Sequence, residues 1–215
     1  MSTKSLKSPY MKWLFMLATG DLIVVILFAV PGLSTSDSFA EVNIWKLITT
    51  VIIPIVVVLL INVLPHTLKS ALVYWRPIGW LPGSESFSKY APEDPRISMK
   101  ALAANIGAFP TDPHDQNAKW YSLYKMVENK PEVEEAQKNF LMYRDMAVLS
   151  LPFVTLAPLS LYLAGSPSSA LFYVSGLFIA QYILTALSAR WSGIRFVTNV
   201  LAIHSLTKTG VPTRS

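Results

Sequence analysis

The chain of 215 residues contains no cysteine, which excludes disulfides, thiolate metal sites and cysteine nucleophiles together. Charge is scarce as well. Asp, Glu, Lys and Arg make up 14% of the residues, against roughly 25% in a soluble domain. Its three histidines, His66, His114 and His204, are too scattered to complete a recognisable ligand or catalytic set. No HExxH, GxSxG, P-loop or dinucleotide fingerprint occurs. Strand-type alternation, hairpin signals and internal repeats of useful length are missing too. No catalytic residue, metal or cofactor is therefore assigned, and the expectation is a protein that is not an enzyme. A membrane-embedded enzyme would need a polar cluster at the inner interface, which the sequence does not display.

What the chain has is apolar length. Four runs, Trp13–Leu33, Leu47–Leu64, Met146–Ala164 and Ala170–Ala189, each approach the ~20 residues that carry a helix across a ~30 Å hydrocarbon core. Hydrophobic residues reach 52% and mean hydropathy is +0.42. Asp21 is the one charge in the first run, and the other three have none. The expected fold is all-α, a polytopic membrane protein with four transmembrane helices and a small helical cytoplasmic cap.

The net charge is +5, and its position matters more than its size. Lys4, Lys7 and Lys12 precede the first run, while Arg190, Arg195, Lys208 and Arg214 follow the fourth. Both sets flank spans, so the excess reads as the positive-inside pattern and not as a nucleic-acid face. The loop Ser34–Trp45 carries Asp37 and Glu41 with no basic residue, which suits the outer side. The uncharged turn Gly165–Ser169 suits the same side. Both termini then lie in the cytoplasm, and the bacterial inner membrane is the default location.

A signal peptide is the competing reading of the first run, with Ser38-Phe39-Ala40 as cleavage site. The run is longer than the about 7–15 apolar residues usual for a signal, and it contains Asp21, so it is read as a retained span.

These assignments divide the chain into a cytoplasmic N-terminus (1–12) and a first pair of spans (13–64) with its external loop (34–45). A cytoplasmic helical module (65–145) comes next. The second pair of spans (146–189) encloses the short loop 165–169, and an amphipathic cytoplasmic segment (190–215) ends the chain. Between His66 and Asp145 ten basic residues balance ten acidic ones. The second span is expected to continue as helix through Val73–Trp75, until Arg76-Pro77 and Leu81-Pro82-Gly83 break it. Ser84–Pro92 reads as loop.

Three helix starts follow. Asp94-Pro95 combines an N-cap with proline at the first helical position, and that helix should end near Gly107. Asp112-Pro113 repeats the device and opens a helix to about Asn129. Lys130-Pro131 opens a third, whose early Glu132, Glu134 and Glu135 suit the positive end of the helix dipole. It should run unbroken into the third span. In the last segment Ile194, Val197 and Leu201 follow helical spacing, which predicts a helix lying along the inner leaflet or returning to pack on the cap.

Several residues could carry function. Asp21 lies roughly 12 Å deep at ~1.5 Å per residue, where an ionised carboxylate costs ~2.5–3.5 kcal/mol. It is expected in the bundle interior, facing Gln181 or the hydroxyls of Thr49, Thr50, Ser150 or Thr155. It would serve there as an interhelical hydrogen bond or as a gating or proton-responsive group. Asn62 and Gln181 are the other intramembrane polar candidates. Pro31, Pro54, Pro152 and Pro158 interrupt the spans, and the last three are candidate kinks.

In the module, Trp120, Tyr121 and Tyr124, flanked by Lys119 and Lys125, form an aromatic-basic stripe. Such a stripe either packs against neighbouring helices or receives a partner or small ligand. Asp112, His114 and Asp115 resemble a metal set, yet Asp112 is better explained as an N-cap. Arg144-Asp145, Arg190 and Arg195 are membrane-boundary charges, and Arg144 is expected to pair with Asp145 and snorkel to phosphate.

The expected partners are the lipid bilayer, further copies of the chain, and a cytoplasmic protein or small molecule at the cap, with no nucleic acid. The resulting expectation is a small oligomeric channel-like effector whose cap receives a signal. The alternative is a non-conducting scaffold or accessory subunit that docks a cytoplasmic partner.

Overall fold

A computed structural model describes residues 8–29, 63–77 and 80–206, and every ordered element among them is helical. The expected second span, apart from Val63 and Leu64, lies outside the described residues. So do Pro31, Pro54, Asn62, Thr49, Thr50, the loop Ser34–Trp45, and Lys4, Lys7, Lys208 and Arg214.

Helix α1 covers Ser8–Ala29. Val63 is helical, but the chain breaks at Leu64-Pro65 before α2, His66–Tyr74. Continuity from the second span through Trp75 is thus corrected. Proline disfavours the α region for the residue before it and cannot donate a helical hydrogen bond. Pro65 is extended (φ −58°, ψ 146°), and its carbonyl accepts from Lys69 N–H at 3.1 Å.

The expected loop Ser84–Pro92 is also helical: a 3₁₀ turn at Pro82–Glu85, a π turn at Ser86–Tyr90 and one α turn at Ala91–Glu93. Gln116 stabilises this winding, because its Oε1 accepts from Phe87 N–H at 3.0 Å and Ser88 N–H at 3.1 Å. Gly83 lies so close to Trp120 and Asn117 that a side chain would not fit.

Helix α3, Met99–Ile106, starts later than expected because Ser98 caps it, accepting from Ala101 N–H at 3.3 Å. Asp94 is diverted to Arg96, accepting from its backbone N–H and its guanidinium. The helix ends at Gly107 (φ 78°). Helix α4, Pro113–Val127, starts at the expected cap, with Asp112 accepting from His114 and Asp115 N–H.

Helices α5 (Pro131–Leu163) and α6 (Ser168–Leu206) form one long antiparallel hairpin. α5 runs unbroken from module to span with Pro152 and Pro158 inside it. At 1.5 Å per residue the two helices measure about 50 and 58 Å, well beyond a ~30 Å core. The apolar halves of α5 and α6, together with α1, make three helices long and apolar enough to cross a membrane. Phe15 on α1 and Phe172 on α6 are each 76% exposed, an outward apolar surface suited to acyl chains. Inside, Val25, Phe153, Leu161, Val174 and Phe178 form a small apolar core.

The other halves of α5 and α6 carry the module. Its core joins Val73, Leu102, Trp120, Phe140, Phe196 and Leu201. The expected separate C-terminal segment is therefore the continuation of α6. It packs on the module and does not lie along a leaflet, because Phe196, Val197, Val200 and Leu201 are buried there. Nothing between Ala189 and Leu206 breaks the helix, and Gly193 admits Tyr74 and Phe140 against its backbone.

Candidate functional site

One polar constellation lies in the apolar bundle, a second where the bundle meets the module, and a third borders a cavity in the module. The register of α5 and α6 orders them. Ser150 faces Gln181 (Nε2 to Oγ, 3.0 Å), and Glu132 faces Asn199 (Nδ2 to backbone O, 3.0 Å).

The first constellation is in the bundle. Asp21 on α1 is buried, and Gln181 Nε2 donates to its two oxygens at 2.9 and 3.0 Å. Ser150 donates to Met146 O at 2.9 Å, so its oxygen accepts the second proton of the Gln181 amide. One amide thereby bridges α1, α5 and α6. Thr155, also considered as a partner for Asp21, bonds instead to Pro152 O.

The second constellation is charged and sits about 7 Å further down α5, five residues before Ser150. Arg144 donates to Asp145 Oδ1 through Nε at 3.0 Å and Nη2 at 2.8 Å. Lys69 on α2 approaches the same oxygen at 3.6 Å. All three side chains are buried. Arg144 therefore does not snorkel outward, and its guanidinium lies over the Phe140 ring at 5.8 Å. Arg144 Nη1 has no hydrogen-bond partner among the described residues. Burial, followed by the Arg144 charge, holds the nearby His66 imidazole below its ordinary value. The sequence did not point to Lys69, because nothing in a single helix indicates which neighbour it faces.

The third is a cavity of about 190 Å³ bordered by His66, Asn117, Trp120, Tyr121, Tyr124 and Gln137. Trp120 and Tyr124 are 4% and 6% exposed, whereas Tyr121 is 51% exposed. The aromatic stripe is thus divided. Trp120 and Tyr124 belong to the module core, where both meet Phe196 edge-on, and Trp120 Nε1 donates to Val197 O at 3.4 Å. Lys119 binds Ala108 O at 2.7 Å and Lys125 pairs with Glu128 at 2.7 Å. The cavity has room for about one aromatic ring. His66, dismissed as isolated in sequence, stands on its rim.

The remaining candidates are dispersed. Arg190 closes the C-terminus of α2, donating to Val73 O at 2.7 Å and to Tyr74 O. Arg195 is exposed. Asp112, His114 and Asp115 come within 4.8 Å of one another, all exposed, with the Asp112 carboxylate engaged at the helix start.

The chain matches no protein family, no curated protein and no solved structure.

Proposed function

We propose that this chain is a non-conducting membrane scaffold or accessory subunit. In this reading four spans place both termini in the cytoplasm, and a cytoplasmic helical module presents a docking site to a protein or small ligand. The observation that carries it is the closure of the described helices α1, α5 and α6 around Asp21. The carboxylate is 4% exposed and bonded to Gln181, and toward the α5–α6 turn the apolar core of Phe153, Leu161 and Phe178 is buried. Long helices shared between bundle and module favour a rigid support. The cavity at Tyr121 and His66 is the docking site proposed for the module.

Asp21 also favours a second reading, an oligomeric channel-like effector, because an acidic group in a span is the residue such a device would use. Membrane potential in cells, followed with a voltage-sensitive dye, separates the two. A scaffold leaves the potential unchanged whether it carries Asp21 or Asp21→Asn. Depolarisation by the intact chain, abolished by Asp21→Asn, would replace the scaffold by the channel.

A further inference from the structure

We infer that Trp75, Arg76, Arg190 and Trp191 form a binding face for an anionic phospholipid headgroup at the inner boundary of the bilayer. The inference rests on the membrane placement proposed above, and it adds a ligand that the placement alone does not require.

Trp75 is the starting point. It ends α2 in the left-handed region with φ 52°, a position that usually takes glycine and is unfavourable for a bulky side chain. Several contacts keep it there. Its Nε1 donates to Tyr182 Oη at 3.0 Å, and Tyr182 in turn donates to Leu72 O at 2.8 Å. The Arg190 guanidinium lies over the Trp75 ring at 3.8 Å while it caps the Val73 and Tyr74 carbonyls. A ring held this firmly would ordinarily be buried. Instead Trp75 remains 51% exposed, and Trp191 is 72% exposed.

Charge points to an anion. The Arg76 side chain is 50% exposed and its guanidinium lies 5.0 Å over Trp80. Glu85 lies 3.6 Å from Arg76 Nη2 and also accepts from Tyr90 Oη at 3.1 Å. Lys89 stands over the Tyr90 ring at 5.9 Å. Arg190 donates to backbone carbonyls and has no carboxylate partner among the described residues, so of the two guanidinium groups only that of Arg76 is paired with a carboxylate.

Level points to a lipid. Arg190 follows Gln181 by nine residues, about 13 Å of helix. Ile183, Leu184 and Leu187, between them, are exposed apolar side chains. The aromatic-arginine face begins where that apolar surface ends, the level at which Trp and Tyr favour the interface. Positive charge there attracts anionic lipid.

The test uses the full chain in phosphatidylcholine bilayers containing a minor fraction of phosphatidylglycerol with brominated acyl chains. The ratio of tryptophan quenching by that fraction to quenching by an equal fraction of brominated phosphatidylcholine, taken within each protein so that a lost tryptophan cancels, measures the preference for anionic over zwitterionic lipid. The intact chain prefers phosphatidylglycerol, and Arg76→Gln lowers the preference about fivefold, the share of one arginine near such a surface. Trp75→Gly separates binding from folding, because glycine suits the left-handed position. That variant keeps its thermal midpoint in detergent and loses lipid preference. Equal preference in all three proteins overturns the inference. So does a Trp75→Gly chain that melts early in detergent yet retains full preference, since the ring then serves packing alone. Failure of the membrane placement itself is seen separately, as release of the intact chain from membranes by alkaline carbonate.

Discussion

Gln181 Nε2 lies 2.9 and 3.0 Å from the two carboxylate oxygens of Asp21, tying the first described helix to the last within the apolar bundle. The same amide reaches Ser150 at 3.0 Å, so a single side chain coordinates three helices. Gln181→Leu should cost about 1 kcal/mol, the scale of hydrogen bonds between membrane helices, and lower the melting point in detergent. Asp21→Asn preserves an acceptor while removing the charge, and it should melt at or above the temperature of the intact chain.

The charged cluster makes an asymmetric prediction. Asp145 serves both Arg144 and Lys69, so Asp145→Asn leaves two buried cations without their counter-ion. A loss of about 3 to 5 kcal/mol follows. Lys69→Met is milder, because Arg144 still holds Asp145 through two hydrogen bonds. Chemical denaturation of both variants should preserve that order, and equal losses would refute it.

Gly193 should not tolerate a methyl group. A Cβ there would collide with Tyr74 Oη and meet Phe140 at 3.1 Å. Gly193→Ala should therefore destabilise the module by about 1 to 3 kcal/mol. Tyr74 Oη is buried with no hydrogen-bond partner among the described residues. Tyr74→Phe alone should be neutral or stabilising, and added to Gly193→Ala it should recover part of the loss. Thermal melts of the two single variants and the double variant test this coupling.

Two module groups predict opposite pH limits. Hydrogen bonding from Arg96 lowers the Asp94 carboxyl from its ordinary 3.8 to about 2. Its contribution is full above pH 3.8 and fades as pH falls toward 2, because protons then bind the unfolded chain first. Burial, and then the Glu85 charge, raise the Tyr90 phenol above its ordinary 10.0. The unfolded chain therefore ionises first above pH 10, and stability declines as pH rises. Arg96→Gln should flatten the acid slope and Tyr90→Phe the alkaline one in melts of the detergent-solubilised chain.

Docking at the module cavity is best tested at Tyr121, which is exposed on its rim. Tyr121→Ala should leave melting nearly unchanged and weaken recovery of a cross-linked partner or ligand. Trp120→Ala should cost about 3 to 5 kcal/mol as a core truncation, so its effect on docking would report unfolding.

Local signals foretold much of the helical layout. Asp112-Pro113, Lys130-Pro131 and Gly107 mark helix ends in the structure, because capping and proline sterics act over one turn. Asp94-Pro95 misled for the same reason. Asp94 could serve a helix start or a nearby guanidinium, and Arg96, bonded also to Thr198 and Asn199 on α6, decided between them. That Asp21 interrupts an apolar helix could be read from hydropathy, whereas the choice of Gln181 over Thr155 required the packing of three helices.

The sequence by itself determined that the chain is helical, which segments are apolar enough for a bilayer, and where α4 and α5 begin. Those properties depend on composition and on neighbours a few residues away. Only the tertiary structure decided that Trp120 and Tyr124 are core while Tyr121 is surface, that Lys69 meets Asp145, and that α6 is one helix from bundle to module. Each depends on contacts between distant segments, where close packing selects one arrangement from many that local preference leaves equally available.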